Sequence, residues 1–440
     1  MWESLPIGQQ PSQLLQSRVE VEKGALVRVI GPARVQVLDG CIRILGISIC
    51  KGEAIVINKY RSYCLISLEN AVLNVSLGEG GSIERPSPGE EVIAEWESVA
   101  KAIVSSVDTV VVVLGAVESG KTSFSTLLSN IALEIGRKPC IIDADVGQGD
   151  LAPPTFIGMK CLDRKILWLR EEKGDYIKFI GFLTPSISIA MTKIITGVVE
   201  FVNKAKIMGR NFIIINTDGW FGDISSIEYK YSLIKSVTPS SIVILGEEFC
   251  SPFRSMFKKS SVNVYCLPKP RVIRERSRED RRDLRKINYR KWFSDMKKMC
   301  IDLDNISIAG VCAFSGATVS HDEIAELEKF LGTKVILASK YIDADVVVVP
   351  DEAQVPREVL ERFGRKLLIV KPSNVKGVIS AILDKNLNEV GVAIIDEINF
   401  NIRKICIQTS YPGEISGLII GRVKLDEQWN DSIRYPRCVI

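Results

Sequence analysis

Apolar and polar positions alternate in short runs over the first ninety or so residues. The runs are Ala25–Ile30, Ala33–Leu38, Cys41–Ile49, Ala54–Ile57, Tyr63–Leu68 and Ala71–Leu77, with turn pairs such as Gly31-Pro32 and Asp39-Gly40 between them. A period of two in Val- and Ile-rich segments predicts half-buried strands, here a small sandwich or barrel. This all-β region closes in the turn-rich stretch 78–89. From about residue 93 the period changes. Continuous apolar runs (Val107–Leu114, Cys140–Ile142, Phe212–Asn216, Ser241–Leu245, Val262–Leu267) alternate with helical stretches such as Lys121–Ile135 and Thr192–Met208. Unbroken apolar strands separated by helices predict an α/β fold with a central parallel sheet and helices on both faces. After roughly residue 300, strand- and helix-like segments alternate again (Ala344–Val349, Pro356–Phe363, Lys366–Val370, Val392–Ile395, Ile405–Thr409, Gly417–Leu425), which fits an α/β or α+β domain.

A chain of 440 residues accommodates about three domains. The pattern assigns an N-terminal all-β domain to 1–92, a central domain to 93–300 and a C-terminal domain to 301–440. With 46% hydrophobic and 25% charged residues, the composition is that of a folded chain. No apolar run approaches the roughly 20 residues of a bilayer crossing, and the N-terminus lacks a basic-then-apolar leader. The expectation is a soluble, cytoplasmic protein (nuclear in a eukaryote) with no membrane partner. The 11 cysteines are scattered singly without a C-x-x-C, so reduced, buried thiols are expected rather than a disulfide framework or zinc ribbon. The single histidine, His321, sits in Ser320-His321-Asp322-Glu323, which reads as a helix start rather than a catalytic base. The net charge of +4 is concentrated: Arg271–Lys298 holds twelve Lys/Arg against five Asp/Glu, a local +7 that leaves the rest of the chain at −3. A polyanionic partner therefore belongs at that segment.

The chemistry-bearing motif is Gly115-Ala-Val-Glu-Ser-Gly-Lys-Thr122, a full match to G-x-x-x-x-G-K-[ST], entered from an apolar strand and left by a helix. Such a loop turns successive backbone N–H groups toward one anion at a helix N-terminus. Lys121 is expected to reach the β- and γ-phosphates of ATP and Thr122 to bind Mg²⁺; Gly115, Glu118, Ser119, Gly120 and Ser123 complete the nucleotide contacts. The strand Pro139–Asp143 runs into Asp143-Ala-Asp-Val-Gly-Gln-Gly-Asp150. Of Asp143 and Asp145, one suits the metal shell and the other proton abstraction from an attacking hydroxyl. Gln148 is a candidate for positioning substrate or water. A third strand ends in Asn216-Thr-Asp-Gly-Trp220, where Asp218 is a candidate for the metal shell and Trp220 for stacking on a base. In the basic run, Arg274, Arg278, Arg282, Lys286 and Arg290 repeat every four residues, flanked by Arg281 and Arg285. Like charges at that spacing oppose an isolated helix, so the segment 271–293 is read as a lid that brings arginines to a transferring phosphoryl group.

Taken together, GAVESGKT at 115–122, DADVGQGD at 143–150, GFLTPS at 181–186, NTDGW at 216–220 and RSREDRRDLRKINYRKWF at 276–293 resemble the polynucleotide 5′-hydroxyl kinase family. These are the P-loop RNA kinases related to the mRNA cleavage-factor subunit and the rRNA-processing kinases. Weaker similarity reaches GLIIGRVKLD at 417–426. The resemblance implies ATP-dependent phosphorylation of RNA, and sometimes DNA, 5′-hydroxyl ends, with RNA-processing proteins as partners. It implies that Asp145 is the general base, with Asp143 in the metal shell and Gln148 alongside. It further implies that Thr184, Pro185 and Ser186 grip the substrate end, that Trp220 stacks on a base, and that Arg281 and Arg285 form the lid's R-x-x-x-R. Arg278 and Arg282 share that spacing, so the pair is not unique. Two other readings remain open: a nucleotide-loaded scaffold in an RNA-processing assembly, and a P-loop ATPase or GTPase. Neither Asn58-Lys59 nor Asn203-Lys204 completes the N-K-x-D of guanine selectivity.

Overall fold

The computed structural model describes residues 15–106, 109–272, 276–355, 361–362 and 365–433. Arg274 and Glu275 lie outside them, as does the expected segment Pro356–Phe363, apart from Glu361–Arg362, a short strand. The chain packs as two compact units. One comprises Met1–Ile142, Lys160–Glu172 and Val198–Arg281; the other comprises Asp143–Met159, Lys173–Gly197 and Arg282–Ile440.

In the first unit, the alternating N-terminal runs form two antiparallel sheets. One has the order Leu15–Val21, Ala71–Leu77, Ala33–Asp39, Ala54–Ile57; the other Ile47–Cys50, Cys41–Ile44, Ser62–Ser67, Leu26–Ile30, Ser82–Glu84. Alternate residues such as Val27, Val29, Val35, Val37, Leu73 and Val75 are buried. The single strand expected over Cys41–Ile49 is a hairpin, because Leu45 and Gly46 both take positive φ, 42° and 78°. The turn-rich stretch after Leu77 is also more structured than expected. Ser82–Glu84 pairs with Leu26–Ile30, and buried Arg28 gathers Glu84, Glu90 and Glu91 at 3.1, 3.1 and 2.6 Å.

The same unit holds the parallel strands of the α/β core. Thr109–Gly115 lies between Phe212–Asn216 and Ser241–Leu245, and Ser241–Leu245 pairs with Asn263–Leu267, all parallel. The first three are buried along their whole length, which explains the absence of alternation in their sequence. The helix Lys121–Glu134 packs on Thr109–Gly115, on Phe212–Asn216 and on the helix Ile93–Val104. No described helix is long and apolar enough to cross a membrane.

In the second unit, residues 156–159 pair antiparallel with Tyr176–Phe179, a pair absent from the sequence expectation. Beyond residue 296 the unit is mostly β. A seven-stranded sheet is antiparallel apart from Ser307–Ala309 on Gly417–Leu425. A five-stranded sheet accompanies the helix His321–Leu331. Ser320 and Glu323 form a reciprocal capping box at that helix and Gly332 ends it in a left-handed turn, so His321 sits at the first helical position.

The cysteines depart from expectation. Cys41–Cys50, Cys140–Cys161, Cys250–Cys266 and Cys300–Cys406 are paired as disulfides. Single spacing in sequence does not reveal that Cys41 faces Cys50, or Cys300 faces Cys406, directly across adjacent antiparallel strands.

Candidate functional site

The P-loop is set by backbone conformation. Gly115 and Gly120 take φ of 152° and 96°, and Glu118 takes 62°. Gly120 is also required sterically: a Cβ there would lie 2.5 Å from Trp96 Cη2. Trp96 is itself fixed by its indole N–H to the Pro268 carbonyl, 2.9 Å, and by an edge-on contact with Phe124 at 5.5 Å. Trp96 is thus a supporting residue that no motif signalled. Gly120 caps the helix that Lys121 begins, so the first backbone N–H groups and the positive helix end face the loop. The Lys121 ammonium donates to the carbonyls of Gly115 and Ala116, at 2.9 and 2.7 Å. Buried Ser119 lies close enough that a Cβ on Gly115 would meet its Oγ at 2.5 Å. Thr122 Oγ1 accepts from Asn216 Nδ2 at 3.3 Å. Asn216 was visible in the sequence only as the end of a strand.

The metal-shell reading of Asp218 is not supported. Its carboxylate is buried and accepts from Lys230 Nζ at 2.6 Å, from the Tyr229 hydroxyl at 3.1 Å and from the Trp220 N–H at 3.0 Å. Lys230 is wholly buried, so the pair is a structural charge clamp under the loop. Trp220 is half-buried, stacks on Tyr229 and donates its indole N–H to Asp223 at 2.6 Å.

The arginines divide by environment. Glu118 accepts from the Arg276 N–H at 3.1 Å and from Arg281 Nη2 at 3.3 Å, so Arg281 sits at the P-loop. Arg278 and Arg282 are exposed. Arg285 makes a two-pronged pair with Asp431, at 2.6 and 3.2 Å, which Tyr289 also approaches at 3.3 Å. The helix Arg278–Trp292 is amphipathic after all: Leu284, Asn288 and Tyr289 are buried, and Asn288 donates to the carbonyls of Gly149 and Ala152 at 2.9 and 2.8 Å. Packing of this apolar side offsets the like-charge columns.

In the second unit, residues 143–150 form a tight carboxylate turn. Asp145 Oδ1 accepts from the N–H groups of Gly147 and Gln148, at 3.0 and 2.9 Å. Asp143 accepts from the Asp150 N–H at 2.6 Å and is 2% exposed. Burial, and next the charge of Asp150, push the Asp143 carboxyl up to about 7. A Cβ on Gly147 would meet the Leu183 carbonyl at 2.6 Å, so the turn packs directly against the Gly181–Ser186 loop. There Thr184 and Ser186 share a hydroxyl–hydroxyl contact of 2.9 Å and Pro185 is buried.

These residues fit the groups they were expected to bind. The first unit offers backbone N–H groups, an ammonium and a hydroxyl at a helix N-terminus; the second offers hard carboxylate oxygens of the kind Mg²⁺ takes. Elsewhere, Cys300, Glu397 and Cys406 cluster in the second unit, but the two sulfurs are bonded to each other.

A parallel strand leading through left-handed glycines into a helix that opens on lysine defines a P-loop nucleotide-binding α/β fold. Residues 115–295 match the model of the mRNA cleavage and polyadenylation factor CLP1 P-loop family. A polyribonucleotide 5′-hydroxyl-kinase of Pyrococcus furiosus is 29% identical over 320 residues, 72% of this chain and 88% of the relative. One of Methanocaldococcus jannaschii is 27% identical over 327 residues, 72% and 87% of the two chains. A CLP1 homolog of Anopheles gambiae is 27% identical over 197 residues, covering 43% and 46%. The chain is thus similar to the CLP1-type P-loop family over its central segment and to polyribonucleotide 5′-hydroxyl-kinases over 72% of its length. Its fold is shared by wild-type Clp1p solved in complex with Pcf11p, with a TM-score of 0.63 at 16% identity over 93% of this chain and 98% of that one.

Proposed function

We propose that this chain is an ATP-dependent polynucleotide 5′-hydroxyl kinase that transfers the γ-phosphoryl group of ATP to the 5′-hydroxyl of RNA, with DNA as the second substrate class to test. The carrying observation is the intact Gly115–Thr122 loop in its left-handed, helix-opening geometry. Similarity over 72% of the chain to polyribonucleotide 5′-hydroxyl-kinases supports it.

In this reading the loop N–H groups and Lys121 bind the β- and γ-phosphates. Thr122 and Asp143 supply the oxygen ligands for Mg²⁺, which offsets phosphate charge when bound. Asp145, its Oδ1 fixed by two backbone N–H groups, takes the proton of the attacking hydroxyl. The new O–P bond forms as the bond from the γ-phosphorus to the β–γ bridging oxygen breaks, and ADP departs. Arg281, with Arg278 and Arg282 on the same helix, steadies the charge spread over the transferring group. Arg285 supports that helix through Asp431. Thr184, Pro185, Ser186 and Gln148 hold the substrate end and Trp220 stacks on its base. An RNA-processing protein partner is part of the proposal, by analogy with Clp1p, which was solved with Pcf11p.

The test is transfer of label from γ-labelled ATP to matched 5′-hydroxyl and 5′-phosphate RNA. Label is expected only on the hydroxyl ends, and Lys121→Ala or Asp145→Asn should abolish it. Full transfer by either variant overturns the assignment, and ATP hydrolysis indifferent to RNA favours the ATPase reading.

A further inference from the structure

The weakly similar segment 417–426 is not used by the reaction above, yet its arginine lies against the loop that ends in Thr184-Pro185-Ser186. The Arg422 guanidinium sits over the Phe182 ring at 5.3 Å. The neighbouring Gly421 has no room for a side chain. Its bare Cα faces Gly181, and a Cβ there would meet Phe179 Cζ at 2.7 Å. From the other side, the Lys193 ammonium lies over the Phe179 ring at 5.9 Å and donates to the Ile180 carbonyl at 3.3 Å. The charged groups bearing on Lys193 are Arg422, Glu389 and Lys178. Glu389 is paired with Lys178 at 3.2 Å and accepts the Phe179 N–H at 3.4 Å. Two further cations, both half-buried, thus each lie over an aromatic face, Arg422 over Phe182 and Lys193 over Phe179, beside a loop that carries two hydroxyls. Desolvation pushes both Lys193 and Arg422 down, and the charge of Arg422 adds to the effect on Lys193. Partly dehydrated like charges repel one another, and a bound anion reverses the sign of that interaction.

We infer that Arg422 and Lys193 form an oxyanion subsite that takes an internucleotide phosphodiester of the substrate strand, next to the Thr184–Ser186 loop. The inference rests on the proposed function and deepens it: the subsite reads a polynucleotide rather than a lone nucleoside. A planar guanidinium and an ammonium suit the two non-bridging oxygens of a phosphodiester, and neither group takes part in the transfer step.

The test uses the full chain with saturating ATP and 5′-hydroxyl RNA oligonucleotides of increasing length, beside a nucleoside 3′-monophosphate. Arg422→Gln and Lys193→Gln are each expected to raise KM for the oligonucleotides about tenfold. The kcat should stay within about twofold and KM for ATP should not move. Each should also flatten the dependence of log KM on log salt by about 0.7, the value of one phosphate contact on a single strand. Arg422→Lys should restore most of that slope, which a merely structural role would not do. Unchanged KM and salt slope in both glutamine variants overturn the inference, as does a parallel loss of ATP affinity and thermal stability. If the wild-type chain transfers no phosphate, the functional reading fails by itself. The subsite is then judged by fluorescence anisotropy with the same oligonucleotides: weaker, less salt-dependent binding by the variants supports it, and identical binding overturns it.

Discussion

Replacing Gly120 with alanine tests the physical account of the P-loop most directly. At φ of 96° an L-residue is disfavoured by about 1–2 kcal/mol relative to glycine. The added methyl group would also sit 2.5 Å from Trp96 Cη2, with two more ring carbons at 3.3 and 3.4 Å. The indole cannot retreat freely, since its N–H is held by Pro268 and its edge by Phe124. Overpacking of this kind costs about 1–3 kcal/mol, so Gly120→Ala should destabilise by about 2–5 kcal/mol in urea unfolding and weaken ATP binding in calorimetry. Trp96→Leu removes the offending ring atoms. In that background Gly120→Ala should retain only the conformational part, about 1–2 kcal/mol, and the difference between backgrounds measures the contact. An equal cost with and without Trp96 would refute the steric argument. A cost below about 0.5 kcal/mol in both would refute the conformational one as well.

Other consequences are equally concrete. Asp218→Ala removes the carboxylate paired with the fully buried Lys230 ammonium and should cost about 3–5 kcal/mol in denaturant unfolding, whereas Asp218→Asn/Lys230→Met should recover most of it. Asp143 has its folded pKa raised to about 7 from an ordinary value of 3.8. Ionising it in the folded state is therefore unfavourable, and in chelator-treated, nucleotide-free protein stability should fall as pH rises from about 4 to 7 and level off above. Asp143→Asn should flatten that slope in a pH series of melting curves. The Cys300–Cys406 bond closes a span of 106 residues, worth about 5 kcal/mol by loop entropy. Reductant should lower the thermal midpoint, and the Cys300→Ser/Cys406→Ser variant should start lower and lose the part of that sensitivity due to this bond, the other three disulfides keeping theirs.

The strongly patterned parts of the fold were legible in the sequence. The buried strands Thr109–Gly115 and Phe212–Asn216 announced themselves as unbroken apolar runs, and the P-loop as spacing between glycines, lysine and threonine. What remained hidden depends on partners remote in the chain. Trp96 lies 24 residues before the glycine it packs under, and nothing local marks it. Asp218 looked like a metal ligand because its strand-end position is right, but a lysine about two turns along the next helix claims it. The arginine columns were read as a lid from charge alone, and Leu284, Asn288 and Tyr289, which supply the buried side of the helix, went uncounted. The Cys41–Cys50 and Cys300–Cys406 pairs are set by cross-strand register, which single residues cannot reveal.

One buried side chain bears on how the protein can be cut into pieces. Asn130, on the helix that follows the P-loop, donates to the carbonyls of Leu45 and Ile166 at 2.7 and 2.8 Å and accepts the Ile166 N–H at 3.0 Å. A fragment trimmed to the matched segment 115–295 discards Leu45 and exposes an amide built for a dry environment. Recombinant truncations that drop the N-terminal sheets are therefore expected to aggregate or bind ATP poorly, even though every signature residue is retained.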